Sequence, residues 1–130
     1  MFDQEVLASQ LKADSFPFPS EGSITLAVRN KSYALGPVML HLYMSPGSVI
    51  PAHTHEGVAE VLYVLEGDFI NEGKQHQLGT SLHVKAGKSH GPHSTEKGCK
   101  ILVLWSDKAA TYDANLDDFH VYKTAAARKP

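Results

Sequence analysis

The stretch GSVIPAHTHEGVAEVLYVLEG, residues 47–67, decides how this chain is read. Its second half, VLYVLEG, is an apolar run with the Val, Leu and Tyr content of a buried strand. Just before it stand His53 and His55, and Glu60 opens the run. Imidazoles and a carboxylate beside a core strand are costly to bury unless partners satisfy them. In an extended segment, residues i and i+2 face the same side about 6.6–7 Å apart. His53 and His55 therefore point together, while Thr54 turns away. Two imidazoles at that separation can reach one ion between them. Glu60 follows His55 by an odd offset, which would put it on the opposite face of one continuous strand. Gly57 allows a bend that resets the facing and brings Glu60 to the same side. Glu56 adjoins His55 but shares the facing of Thr54, and reads as a solvated carboxylate.

Imidazole and carboxylate donors without thiolate suit iron, manganese, zinc or nickel. A second histidine cluster lies in HVKAGKSHGPHS, residues 83–94, where a Lys-Ala-Gly-Lys turn leads to His90 and then His93. The offset of three, with Pro92 between, sets only one of the two inward. We expect His90 to face inward and His93 to face outward or toward a loop.

Around these clusters the chain is built of short β-branched and aromatic-rich runs: SITLAVR, YALGPVMLHLYMS, EVLYVLEGDFI, HQLGTSLHV, KILVLWS and FHVYK. The punctuators RNKS, SPGS, NEGK, KAGKS and TEKGC separate them. That rhythm predicts an all-β sandwich or barrel. VMLHLYM places Val38, Leu40, Leu42 and Met44 on one face and Met39, His41 and Tyr43 on the other, as in a wall with a lumen side and a packed side. FINEGKQHQL reads as a hairpin turning at Asn71–Lys74. Before the strands, Val6, Leu7, Gln10 and Leu11 have helical spacing, so residues 1–22 are expected to form a short helix or an arm, ended by Pro17, Pro19 and Gly22. The barrel is assigned to 23–123 and a frayed tail to 124–130.

With 130 residues, 42% hydrophobic and 20% charged, the chain suits a single globular domain. A net charge of −2 gives no basic excess for nucleic acid or an anionic membrane surface. The single cysteine, Cys99, excludes an intrachain disulfide and fits a reducing compartment. No run has signal-peptide character or approaches the roughly 20 apolar residues of a membrane span. A cytoplasmic location is expected.

The pattern Gly47-x5-His53-x-His55-x4-Glu60-x6-Gly67 resembles the first motif of the cupin superfamily at every fixed position. Gly79-x5-Lys85-x-Gly87-x2-His90-x3-Ser94 resembles the second, with Lys85 where proline is usual and Ser94 where asparagine is usual. The resemblance covers about residues 35–105. It implies a double-stranded β-helix, a jelly-roll barrel of antiparallel sheets. It also implies one divalent metal held by His53, His55, Glu60 and His90, with iron the first choice. The segment from His90 to Leu104 is similar to cupin domains of acetylacetone-cleaving and dihydroxyacetophenone-cleaving dioxygenases, and of zinc-binding anti-sigma factors.

Four protein ligands on an octahedral ion leave two positions for a chelating substrate and dioxygen. The resemblance thus implies oxygenolytic cleavage of a carbon–carbon bond in a small dicarbonyl or hydroxyketone. The alternatives are a metal-bound small-ligand sensor and a non-redox isomerase or hydrolase. The anti-sigma factors carry a further helical domain, and residues 1–22 are too few for one, which favours an enzyme or small-ligand binder. General-base candidates are His41, Tyr43 and His83, and packing roles are expected for Cys99 and His93. The expected partners are a small molecule and further copies of the chain, as a dimer or a tetramer, with SITLAVR set at the contact.

Overall fold

The computed structural model describes residues 2, 4–31, 37–107 and 112–121. Its strands are β1 (Asp14–Ser15), β2 (Ile24–Val28), β3 (Val38–Met44), β4 (Val49–Ile50), β5 (His53–Thr54), β6 (Val58–Gly67), β7 (Phe69–Asn71), β8 (Lys74–His76), β9 (Ser81–Val84), β10 (His93–Ser94), β11 (Cys99–Asp107) and β12 (His120–Val121). They form a six-stranded sheet of order β1-β2-β3-β11-β6-β9, a four-stranded sheet of order β4-β10-β7-β8, and the pair β12-β5. Every pairing is antiparallel. This is the all-β jelly roll expected from the strand rhythm and the paired motifs. Among the described residues no helix is long and apolar enough to cross a membrane.

The alternation that builds the walls is cleanest in β3. Val38, Leu40, Leu42 and Met44 are buried and join the core, while Met39, His41 and Tyr43 are half-buried on the outer face. In β6 the inward register runs Val58, Glu60, Leu62, Val64, so one carboxylate occupies a position otherwise held by aliphatic groups. β11 lies between β3 and β6 and contributes Ile101, Val103 and Trp105 to the same interior. Its register with β6 slips between Lys100 and Ile101, leaving Leu65 without a partner as a bulge. Ile24 and Leu26 of β2 are buried in the chain's own core. Ile24 and Leu26 of SITLAVR thus face the chain's own interior, while Ala27 lies on the outer face beside Arg29, His41 and Tyr43.

The β7–β8 hairpin turns through Glu72 (φ 52°) and Gly73 (φ 80°), flanked by the Asn71–Lys74 pair. Two consecutive left-handed residues match the twist of the strands they join. After Gly67, the Asp68 carboxylate accepts hydrogen bonds from the Thr95 hydroxyl and from the backbone N–H groups of Glu96 (3.0 Å) and Lys97 (3.1 Å). Burial pushes its pKa up, but these donors outweigh it and hold Asp68 below the usual carboxylate range. The loop between β10 and β11 is anchored in this way. Cys99 packs in the core, and burial pushes its thiol up to about 11, which suits a packing role.

The N-terminal segment is an arm. Its helical part is one 3-10 turn, Ala8–Gln10, flanked by extended Leu7 and Leu11. Arg29 Nη1 donates to the Val6 carbonyl at 3.2 Å, and Asp14–Ser15 add to the edge of β2.

Candidate metal centre

His53 and His90 form an isolated antiparallel bridge, exchanging backbone hydrogen bonds of 2.9 and 3.0 Å. Directly opposed residues of an antiparallel pair project to the same side, so pairing alone brings an imidazole from each histidine cluster together. His55 follows β5 on the same side, and the bend at residues 56–57 lets Glu60 enter β6 facing inward. All four side chains are less than a tenth exposed. One ligand nitrogen from each of His53, His55 and His90 lies within 4.8 Å of the others. Glu60 Oε1 is 2.9 Å from His90 Nε2, and Oε2 is 3.5 Å from His55 Nε2.

Each group is oriented from behind. His53 Nδ1 is 2.7 Å from the Pro51 carbonyl and His55 Nδ1 is 2.6 Å from the Asp118 carbonyl. A carbonyl only accepts, so both Nδ1 atoms donate to it and both Nε2 atoms are left to face the cluster. The Trp105 indole N–H donates to Glu60 Oε2 at 2.7 Å, and Trp105 stacks on Tyr112 with centroids 5.9 Å apart. His90 is different: neither of its ring nitrogens has an aligned hydrogen bond, and the short approach to Glu60 lacks hydrogen-bond direction. Leaving a buried polar group unpaired costs about 1–3 kcal/mol. Three imidazoles and a carboxylate converging around such an orphan fit a divalent iron, manganese, zinc or nickel ion.

The charge states agree with that fit. Burial would raise the Glu60 carboxyl, but the contact with His90, the charges of His55 and His90, and the Trp105 N–H together hold it at about 2. Burial, with the neighbouring His90 charge next, pushes His53 down to about 4. At neutral pH the carboxylate is ionised and this imidazole neutral, the forms that bind metal.

Above the cluster lies a cavity of about 40 Å³ lined by aliphatic residues of the barrel, among them Leu26, Leu40, Leu42, Leu62 and Val103. Aromatic rings from both ends of the described chain close it. Phe119 stacks on His53 (4.0 Å) and on Phe18 (4.5 Å), and Phe16 meets Phe18 edge-on (5.3 Å).

The other sequence candidates lie elsewhere. His41 and Tyr43 are on the outer face of β3, because strand alternation sets them opposite the lumen-lining Leu40 and Leu42. His41 Nε2 accepts from Arg29 Nε at 2.7 Å. His83 is exposed on β9. None of the three reaches the cavity. His93 reverses its expected facing: it is 3% exposed and lines the cavity. Counting the offset of three from His90 assumed an extended chain, whereas Gly91 adopts φ +92°. In β10, His93 pairs opposite Ile50, which also lines the cavity, so both point inward.

Sequence reasoning missed Trp105, Asp118 and the aromatic cover. Trp105 was within reach, since it continues the inward alternation of Ile101 and Val103. Asp118 carries no local signal. Its carboxylate accepts from the N–H groups of Glu56 (2.6 Å) and Gly57 (2.8 Å), while its carbonyl holds His55. A Cβ on Gly57 would stand 3.2 Å from that carboxylate, a tight contact that the carboxylate would have to relieve by a few tenths of an ångström. Asp118→Ala should release the bend and weaken metal binding roughly tenfold. Competition with a chromogenic chelator measures it, and unchanged affinity would mean that the bend holds without Asp118.

A germin-like protein of Ipomoea nil is 44% identical over 45 residues, which are 32% of this chain and 21% of that protein. The matched segment thus spans about a fifth of that relative's length. Among solved structures, KdgF from Halomonas sp. has a TM-score of 0.70 at 17% identity, covering 87% of this chain and 99% of that one. A candidate acetylacetone dioxygenase from Methylibium petroleiphilum has a TM-score of 0.66 at 17% identity, covering 81% and 77%. The complex of Rhodobacter sphaeroides SigE with the anti-sigma ChrR gives 0.61 at 19% identity, covering 77% of this chain and 52% of that one. At these identities the likeness is one of fold. The sequence model described as the ChrR Cupin-like domain matches residues 4–107. That span takes in both histidine clusters and most of the barrel, and the chain belongs to the ChrR cupin-like family.

Proposed function

We propose that the chain binds one divalent metal through His53, His55, Glu60 and His90 and, with iron, is an oxygenase that cleaves a carbon–carbon bond of a small 1,3-dicarbonyl or hydroxyketone. The observation that carries this reading is the convergence of three buried imidazoles and a carboxylate beneath an apolar cavity, with no aligned hydrogen bond to satisfy His90. Iron bound there supplies Lewis acidity and redox access to dioxygen. The chain's own groups set the stage. Trp105 occupies Glu60 Oε2 and leaves Oε1 on the side of His90. The aliphatic walls exclude bulk water and favour a small, largely apolar ligand. Insertion of both atoms of dioxygen into a diketone yields a carboxylic acid and a shorter dicarbonyl, with no external reductant. The fold likeness to a candidate acetylacetone dioxygenase supports this class of substrate. The buried thiol of Cys99 and an iron(II) site both suit the cytoplasm. A homodimer belongs to the same reading, supported by the exposed Tyr63 and Leu78 beside the edge strand β9.

The second reading is a metal-dependent small-ligand sensor. Membership of the ChrR cupin-like family and the small, covered cavity favour it. An oxygen electrode separates the two. Iron-reconstituted protein with a panel of 1,3-diketones and hydroxyketones should consume dioxygen in proportion to substrate. No uptake above that of free iron(II), together with tightly held zinc in the purified protein, would overturn the oxygenase reading and leave a binding or non-redox role.

A further inference from the structure

We infer that His93 is a ligand-positioning residue, a second anchor in the cavity that hydrogen-bonds a carbonyl or hydroxyl oxygen of the bound small molecule. The inference deepens the proposed function and rests on the metal centre described there. Three observations lead to it. First, His93 is held rigidly. It sits in β10, which is paired on one side with β4 and on the other with β7, and its ring packs against Phe69 at 5.0 Å. Second, it is buried, yet its Nδ1 has no hydrogen-bond partner among the described residues. A residue present only to fill space would carry no such penalty. Third, it lines the same cavity as His53, His55 and Glu60, which face the metal centre, while the other described lining residues are apolar apart from Trp105, whose indole N–H is taken by Glu60.

His93 also lies outside the ligand set. Its ring packs against those of His90 and His53, 5.2 Å and 5.6 Å away by centroid, but it is not among the three histidines whose ligand atoms converge. Among the described residues, a molecule seated on the metal therefore meets His93 as the polar side chain of the wall left to it. An imidazole at this place selects for a ligand with at least two oxygen functions, or one oxygen flanking the chelating pair. A purely hydrocarbon ligand would leave the ring unpaired.

The test uses cobalt(II)-loaded protein and acetohydroxamate, a small chelator with a carbonyl and a hydroxyl oxygen. It binds open metal positions whatever the natural substrate. Wild type, His93→Leu and His93→Gln are compared by elemental analysis and by titration of the visible cobalt spectrum. All three should bind one cobalt per chain. The acetohydroxamate dissociation constant should rise about tenfold in His93→Leu, the loss of roughly one hydrogen bond. It should recover to within about threefold of wild type in His93→Gln, which restores a donor and an acceptor. Equal affinity in wild type and both variants would overturn the role of His93 while leaving the metal centre intact. So would loss of cobalt from both His93 variants, since His93 would then be a metal ligand. Absence of cobalt from wild type itself would overturn the metal centre, and failure of cobalt-loaded wild type to take acetohydroxamate would overturn the second anchor.

Discussion

His55→Ala is expected to weaken metal binding by roughly 100-fold or more, leaving protein purified without a chelating tag nearly metal-free. Losing an outer hydrogen-bonding partner of a metal ligand commonly costs 10–100-fold, and this substitution removes both a candidate ligand and its orienting bond. His55 Nε2 faces Glu60 Oε2 at 3.5 Å, and His55 Nδ1 is tied to the Asp118 carbonyl. The barrel should stay folded, because His55 is not part of the apolar core cluster. Elemental analysis beside a far-ultraviolet circular dichroism spectrum reads both effects. Full metal content in His55→Ala and in His53→Ala would remove the ion from this site. Glu60→Gln refines the picture. The amide oxygen can still accept from Trp105, but the negative charge is gone, and affinity should fall about tenfold. Unchanged affinity would place Glu60 outside the coordination sphere, as an acceptor for Trp105 beside His90.

The second large effect is expected from a residue with no side chain. A Cβ at Gly67 would overlap the carbonyl oxygen of Gly98 and stand 2.8 Å from the Cα of Cys99. Both obstacles are backbone, and Cys99 pairs with Gly67 across the β6–β11 ladder, so neither can yield without opening it. Gly67 also adopts φ +82°, a left-handed conformation that costs a residue with Cβ about 1–2 kcal/mol. Gly67→Ala should therefore destabilise the fold by about 4 kcal/mol or more, the range reserved for backbone and core disruption. For a domain of this size that lowers Tm by on the order of 15 °C. Thermal unfolding measured with chelator in both samples isolates the fold from the ion. A shift of only a few degrees would show that β6 and β11 can separate locally at this corner.

His53, His55 and Glu60 were legible in the sequence because two strand rules suffice there: alternate residues share a face, and one glycine can reset the count. The hairpin at Glu72–Gly73 and the two faces of β3 followed from equally local rules. His93 was misread because a positive φ at Gly91 interrupts the extended chain over which a facing can be counted. For His41 and Tyr43 the two faces were evident, but which one becomes the lumen depends on how the sheet closes, a non-local fact. Asp118 reaches His55 across 63 positions of chain. Nothing near residue 118 announces that its carbonyl orients an imidazole. SITLAVR shows the same limit: composition identified a strand, but not that Ile24 and Leu26 would turn inward.

The segment from Tyr112 to Val121 lies beyond the family-matched residues, which end at 107, yet it supplies the backing for Trp105, the clasp on His55 and the ring over His53. Docking of this segment and occupancy of the ion site are therefore linked equilibria. Whatever factor the clasp contributes to ion affinity, a bound ion returns to the docking of the segment, because the coupling free energy is one quantity seen from two sides. The amides of Glu56 and Gly57, both bonded to Asp118, report on that coupling: their exchange with solvent tracks how often the clasp opens. A tag, truncation or partner that pulls on residues 112–121 would act on the ion without touching any of its ligands.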